Sequence, residues 1–129
     1  MIEQLMIRSG VLCQGGFVAY YNDMSLYSPD PAAMFRRAIG LLVCADGRLL
    51  VCPVDLTQPD ALPAQPVFRR ISRAEFGSRS TGALFAKGCY FSIDTGDLRG
   101  SYQISDDRVV NETFPTARAY RRYLLQKDS

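Results

Sequence analysis

A chain of 129 residues with 47% apolar and 22% charged side chains is large enough for one folded domain and too apolar for a disordered one. Its net charge of +2 selects no partner, but the absence of histidine excludes Ser-His-Asp and Cys-His nucleophile pairs and histidine-ligated metals. No window approaches the roughly 20 apolar residues that a membrane span requires, and Glu3 stands where a secretory signal would be basic, so a cytoplasmic protein is expected.

Residues 2–7 fit either an edge strand or one helical turn. Gly10, Gly15 and Gly16 punctuate the next segment, and Phe17-Val18-Ala19-Tyr20-Tyr21 reads as a strand. A helix is expected over residues 31–39. Asp30 would cap it, Pro31 suits its first position, and Gly40 suits a left-handed stop. Met34, Phe35, Ala38 and Ile39 would face the core, leaving Arg36 and Arg37 outside.

Two apolar strands, 41–45 and 49–52, flank Asp46-Gly47, which favours a two-residue type I′ turn. That turn would pair Ala45 with Arg48, Cys44 with Leu49 and Leu41 with Cys52, and would place Cys44 and Cys52 on opposite faces. The hairpin is so apolar that it needs cover on both faces, from the rest of the chain or from a second copy. Residues 53–66 hold four prolines and read as a long loop, a connection that is often functional.

Residues 67–70 form a short strand. Ser72 and Glu75 then make a capping box, with Ile71 and Phe76 as its hydrophobic staple, and Ser78 to Gly82 form a polar loop. A three-strand meander is expected over 88–94, 100–105 and 108–110, with turns at Thr95-Gly96-Asp97 and Asp106-Asp107. Pro115 opens a last helix, to Leu125, whose apolar stripe is Tyr120, Tyr123 and Leu124. The fold class is therefore a single α+β domain, with a mainly antiparallel sheet of five or six strands and two main helices packed on it.

Four cysteines, Cys13, Cys44, Cys52 and Cys89, form no C-x-x-C pair and lie in apolar runs, so they are expected to be buried, reduced thiols and no metal or cofactor is expected. Arginine supplies 13 of the 15 basic residues, a bias that suits bidentate contacts to phosphate or carboxylate. One cluster is Arg69, Arg70, Arg73 and Arg79; another is Arg118, Arg121 and Arg122, with Lys127, on the last helix.

The stretch Ala86-Lys87-Gly88-Cys89-Tyr90-Phe91-Ser92 resembles the G-x-Y-F segment of ADP-ribosyltransferases of the poly(ADP-ribose) polymerase type. The resemblance implies that Tyr90 would stack on nicotinamide, with Tyr102 nearby. The family's ribose-binding histidine is missing, and Glu112 is the only downstream glutamate. Arg69 or Arg70 with Ser80-Thr81 loosely match the arginine and S-T-S motif of its arginine-specific relatives.

Three readings follow. The first is a non-enzymatic accessory or binding protein acting through a protein–protein surface, with self-association as a homodimer. The second is a nucleic-acid-binding module using its arginines, which requires that they converge on one face with Tyr120 or Tyr123 exposed between them. The third is a small ADP-ribosyltransferase-like enzyme. The candidate binding residues are Arg69, Arg73, Arg79, Arg118, Arg121, Arg122 and Tyr90, and the outer face of the last helix is the first place to seek a partner.

Overall fold

In the computed structural model, which describes residues 1–21, 37–55, 65–77 and 89–126, seven strands form one antiparallel sheet. The chain runs α1 (Ile2–Ser9), β1 (Cys13–Tyr21), β2 (Arg37–Cys44), β3 (Leu49–Asp55), β4 (Arg69–Ile71), a single 3-10 turn (Arg73–Glu75), β5 (Phe76–Gly77), β6 (Tyr90–Ile93), β7 (Gly100–Arg108) and α2 (Ala117–Leu125). The sheet order is β4-β3-β2-β1-β7-β6-β5.

That order cannot be flat. Seven strands span six intervals, so a flat sheet would hold β4 and β5 roughly 29 Å apart, yet only residues 72–75 join them, a reach of at most roughly 18 Å. The sheet must roll until its edges approach. Every neighbouring pair is antiparallel, so the two edge strands run in the same direction. They are two halves of one bent strand, the first paired to β3 and the second to β6. The capping box makes the bend: Ser72 Oγ accepts from Ala74 N, and Glu75 returns a carboxylate oxygen to Ser72 N at 2.8 Å.

Rolling divides the sheet into two faces. Phe17, Ile39, Leu41, Val51, Phe91 and Ile104 point inward and form the main core. Val18, Ala38, Leu42, Cys52 and Val54 point outward, where Ile2 and Leu5 of α1 cover them. The apolar hairpin is thus buried on both faces by its own chain, which removes the ground for expecting a second copy there.

Several expectations are corrected. Residues 37–39 begin β2 instead of ending a helix, and the rest of that predicted helix, 31–36, lies outside the described residues. Gly40 is no helix stop; it sits mid-strand because a Cβ there would collide with Leu5 Cδ1. The undecided N-terminal segment is helical. Its first turn is held by Asp107, whose carboxylate accepts from Ile2 N at 3.3 Å, and Gly10 ends it with φ 67°.

The β2–β3 turn is wider than Asp46-Gly47 implies. Cys44 N donates to Arg48 O and Gly47 N to Cys44 O, which makes a three-residue loop with Gly47 at φ 90°. The register moves by one, pairing Val43 with Leu49 and Leu41 with Val51, and this puts Cys44 and Cys52 on the same face. The predicted turn at Asp106-Asp107 and the third meander strand after it are not formed: β7 runs through both aspartates to Arg108, and Val109 and Val110 lie beyond its end. An irregularity against β1 takes up the extra residues: Ala19 pairs with Ile104 but Phe17 with Arg108. Most of the predicted 53–66 loop lies outside the described residues, as do Arg79 and Lys127.

If Gly40 exists to admit α1, Gly40→Ala should destabilise the protein by about 1–3 kcal/mol in denaturant titration. The same change in a Leu5→Ala background should do less harm, because the colliding side chain is already gone.

Candidate functional site

Helix α2 closes the end of the roll where β1 begins and β7 ends. Thr116 caps it, accepting from Ala119 N at 3.2 Å. Asn111 shapes the approach by donating to Gln14 O and accepting from Phe114 N. Tyr120 and Leu124, one turn apart, enter the core, and Tyr120 is wholly buried. Its ring stacks on Phe114 at 4.4 Å and meets Phe17 at 4.9 Å. Its hydroxyl accepts from Gly16 N at 2.9 Å and donates to Val109 O at 2.6 Å. Burial pushes the Tyr120 phenol above its usual pKa.

With Tyr120 and Leu124 inward, Arg118 and Arg122 occupy an exposed row, also one turn apart. Among the described residues neither forms an ion pair. Arg121, on the flank, donates from Nε to Tyr90 O at 2.6 Å. Arg73 arrives from the 3-10 turn and lies 4.9 Å from the centroid of Tyr123, whose hydroxyl donates to Gly47 O at 3.4 Å. Arg108, at the end of β7, donates to Ser105 O at 3.5 Å and to the Asp106 carboxylate at 3.4 Å, while its Nε is buried without a partner.

Arg118 and Arg121 on α2, Arg108 at the end of β7 and Cys89 just before β6 all lie at this end of the roll, and the three guanidiniums favour the Cys89 thiolate. Burial nevertheless outweighs them and pushes that thiol up; Cys44 and Cys52 are raised by burial too. The three stay protonated at neutral pH and react slowly with reagents from solution. Among the described residues, no cluster of three or more acidic or cysteine side chains could hold a metal ion.

The other sequence candidates are elsewhere. Arg69 pairs with Asp97 at 2.5 Å, in the β6–β7 turn at the opposite end of the roll from α2, and this guanidinium holds the Asp97 carboxyl below its usual range. Tyr90 is 7% exposed and lies in β6 opposite Gln103. Phe91 pairs with Tyr102 and both face inward, so Tyr90 and Tyr102 lie on opposite faces and do not frame one nicotinamide site. Ala86, Lys87 and Gly88, like Ser80 and Thr81, lie outside the described residues.

Known proteins offer no guide here: no family model, curated protein or solved structure matches the chain. The site rests on its own chemistry. Arg73, Arg118, Arg121 and Arg122 gather on and beside α2, whereas Arg69 does not. Arg108 joins them although nothing near it in sequence marks it, since only the register irregularity of β7 brings it to this end.

Tyr120→Phe keeps the ring but strands Gly16 N and Val109 O, and should lower stability by about 2–3 kcal/mol. The folded-state phenol is harder to ionise than the unfolded one. The unfolded state therefore loses its proton first, and wild-type stability should fall as pH rises above about 10, with this dependence weakened in Tyr120→Phe. Chemical denaturation across that pH range measures both effects.

Proposed function

We propose that the chain is a small non-enzymatic binding protein whose working surface is the basic outer face of α2, and that its partner is an acidic protein surface. The observation that carries this reading is the exposed row of Arg118 and Arg122, without ion pairs among the described residues, on a helix whose other side is locked into the core. Arg121 and Arg73 flank the row. A rigid helix holds the guanidiniums at fixed spacing, which suits bidentate contacts to carboxylates. The free thiols of all four cysteines suit a reducing compartment such as the cytoplasm, and no helix among the described residues is long and apolar enough to cross a membrane.

Nucleic acid is the weaker reading because the aromatic platform it needs is not free. Tyr120 is buried, and Arg73 already covers the ring of Tyr123. Self-association now lacks its original support, since α1 fills the place that a second copy of the hairpin was expected to take.

An acidic peptide rich in glutamate should bind the full chain more tightly than mixed-sequence single-stranded DNA, and its binding should weaken as salt rises. Arg118→Glu with Arg122→Glu should reduce peptide affinity roughly tenfold or more, a loss of about 1.4 kcal/mol, without changing the unfolding midpoint. Peptide binding insensitive to both salt and charge reversal would overturn the proposal, as would tighter binding of the DNA.

A further inference from the structure

At the α2 end of the roll, but on the outer face, two cysteines stand directly opposite each other. Cys13 opens β1, Cys44 closes β2, and the two are Cα partners in the antiparallel pair. Ala45 N donates to Leu12 O at 2.8 Å, and Cys44 N donates to Arg48 O instead of to Cys13 O. The adjacent 13/44 pair is then of the non-hydrogen-bonded kind, in which Cα atoms approach to roughly 4.5 Å and side chains lie closest. That spacing falls within the range that disulfides span, roughly 4.4–6.8 Å.

The side chains also point the same way. Gly40, Leu42 and Cys44 alternate onto the face that α1 covers, and Cys13 packs against that same outer cluster. The register irregularity between Cys13 and Gly15 permits this, because it turns Cys13 outward while Gly15 faces Phe114 and Tyr120 inside. The Cys13 thiol donates to Val11 O at 3.4 Å, and both thiols are free.

We propose that Cys13 and Cys44 form a redox modification site, a cross-strand dithiol that closes to a disulfide by exchange with a small-molecule disulfide. Access sets the order of events. Cys13 is partly exposed and Cys44 is fully buried, so the Cys13 thiolate attacks first, forming a mixed disulfide and releasing one small thiol. The Cys44 sulfur, after losing its proton, then attacks the Cys13 sulfur and expels the second small thiol. Two protein thiols and one small disulfide become one protein disulfide and two small thiols, and the exchange reverses when small thiols are in excess.

No other cysteine competes. Cys52 shares the face but stands opposite Gly40, four residues along β2 from Cys44 and thus roughly 13 Å away. Cys89 packs against the inner core. Closure would tie the start of β1, just after α1, to the strand leading into the Gly47 turn that receives Tyr123.

The test is to incubate the native full chain with oxidised glutathione, block remaining thiols and map the peptides by mass spectrometry. The expected main product lacks two hydrogen atoms and joins the Cys13 and Cys44 peptides. Cys44→Ser should stop at a glutathione adduct on Cys13, and Cys13→Ser should slow modification of Cys44 by roughly tenfold or more. A persistent Cys13–glutathione adduct in the wild-type chain, a first disulfide that includes Cys52 or Cys89, or no reaction would each overturn the proposal. The wild-type map decides the matter even where a variant fails to fold.

Discussion

The two hydrogen bonds of the Tyr120 hydroxyl tie the terminal helix to both central strands. One is accepted from Gly16 in β1 and the other is donated to Val109, just past β7. Gly16 and Val109 continue the register of the Phe17–Arg108 pair, and Val109 N still donates to Gly16 O at 2.9 Å, but the return bond between Gly16 N and Val109 O is open and the hydroxyl bridges these two groups. The hydroxyl can reach them only because Gly15 leaves room: a Cβ there would stand 2.7 Å from the Tyr120 oxygen and 2.8 Å from Phe114. The glycines near the chain's start, the tyrosine near its end and the irregularity in β7 are one device, and they fix which side of α2 faces water.

A second constraint acts at the seam. Residues 72–75 cannot bridge the edges of a flat sheet, so the capping box that stiffens them also compels the curvature. Curvature creates an interior, and Phe17, Phe76, Phe91 and Tyr102 fill it with rings 5.6–6.0 Å apart where they meet. At the end away from α2, Leu98 of the β6–β7 turn closes the interior, with its carbonyl accepting from the Tyr102 hydroxyl at 2.6 Å. Each end of the roll is therefore stopped by an apolar side chain and a tyrosine hydroxyl.

Local chemistry was legible in the sequence, and relations across the chain were not. The capping box at Ser72, the strand at Phe17, the turn at Gly96 and the inward stripe of Tyr120 and Leu124 depend on near neighbours and match the structure. Gly40 misled because a glycine after an apolar run signals a helix stop, whereas its real partner is Leu5, 35 residues earlier. Asp46-Gly47 misled because the dipeptide suits both two- and three-residue loops, and one residue of register decides which face every hairpin side chain takes. Asp106-Asp107 read as a turn, but Asp107 is spent on the α1 N-terminus. Of the candidate site, the outward row on α2 was legible from its spacing. The isolation of Arg69 by Asp97 was not, since the two are separated by 28 residues.

Helix α2 offers a surface because its arginines have different roles. Arg121 is anchored to Tyr90 O and Arg73 to the ring of Tyr123, contacts that hold neighbouring positive charges in place. Like charges so close repel, and that repulsion is relieved by solvent or by an anion. Asp106, which is fully exposed, is placed on Arg108, and Glu75 is engaged by Ser72 N and the Thr95 hydroxyl. Inside the end of the roll Arg108 Nε has no acceptor and Cys89 remains a neutral thiol, so the interior supplies no counter-charge. On the outer face of α2, Arg118 and Arg122 remain exposed and without an ion pair among the described residues, and the proposed acidic partner rests on that row.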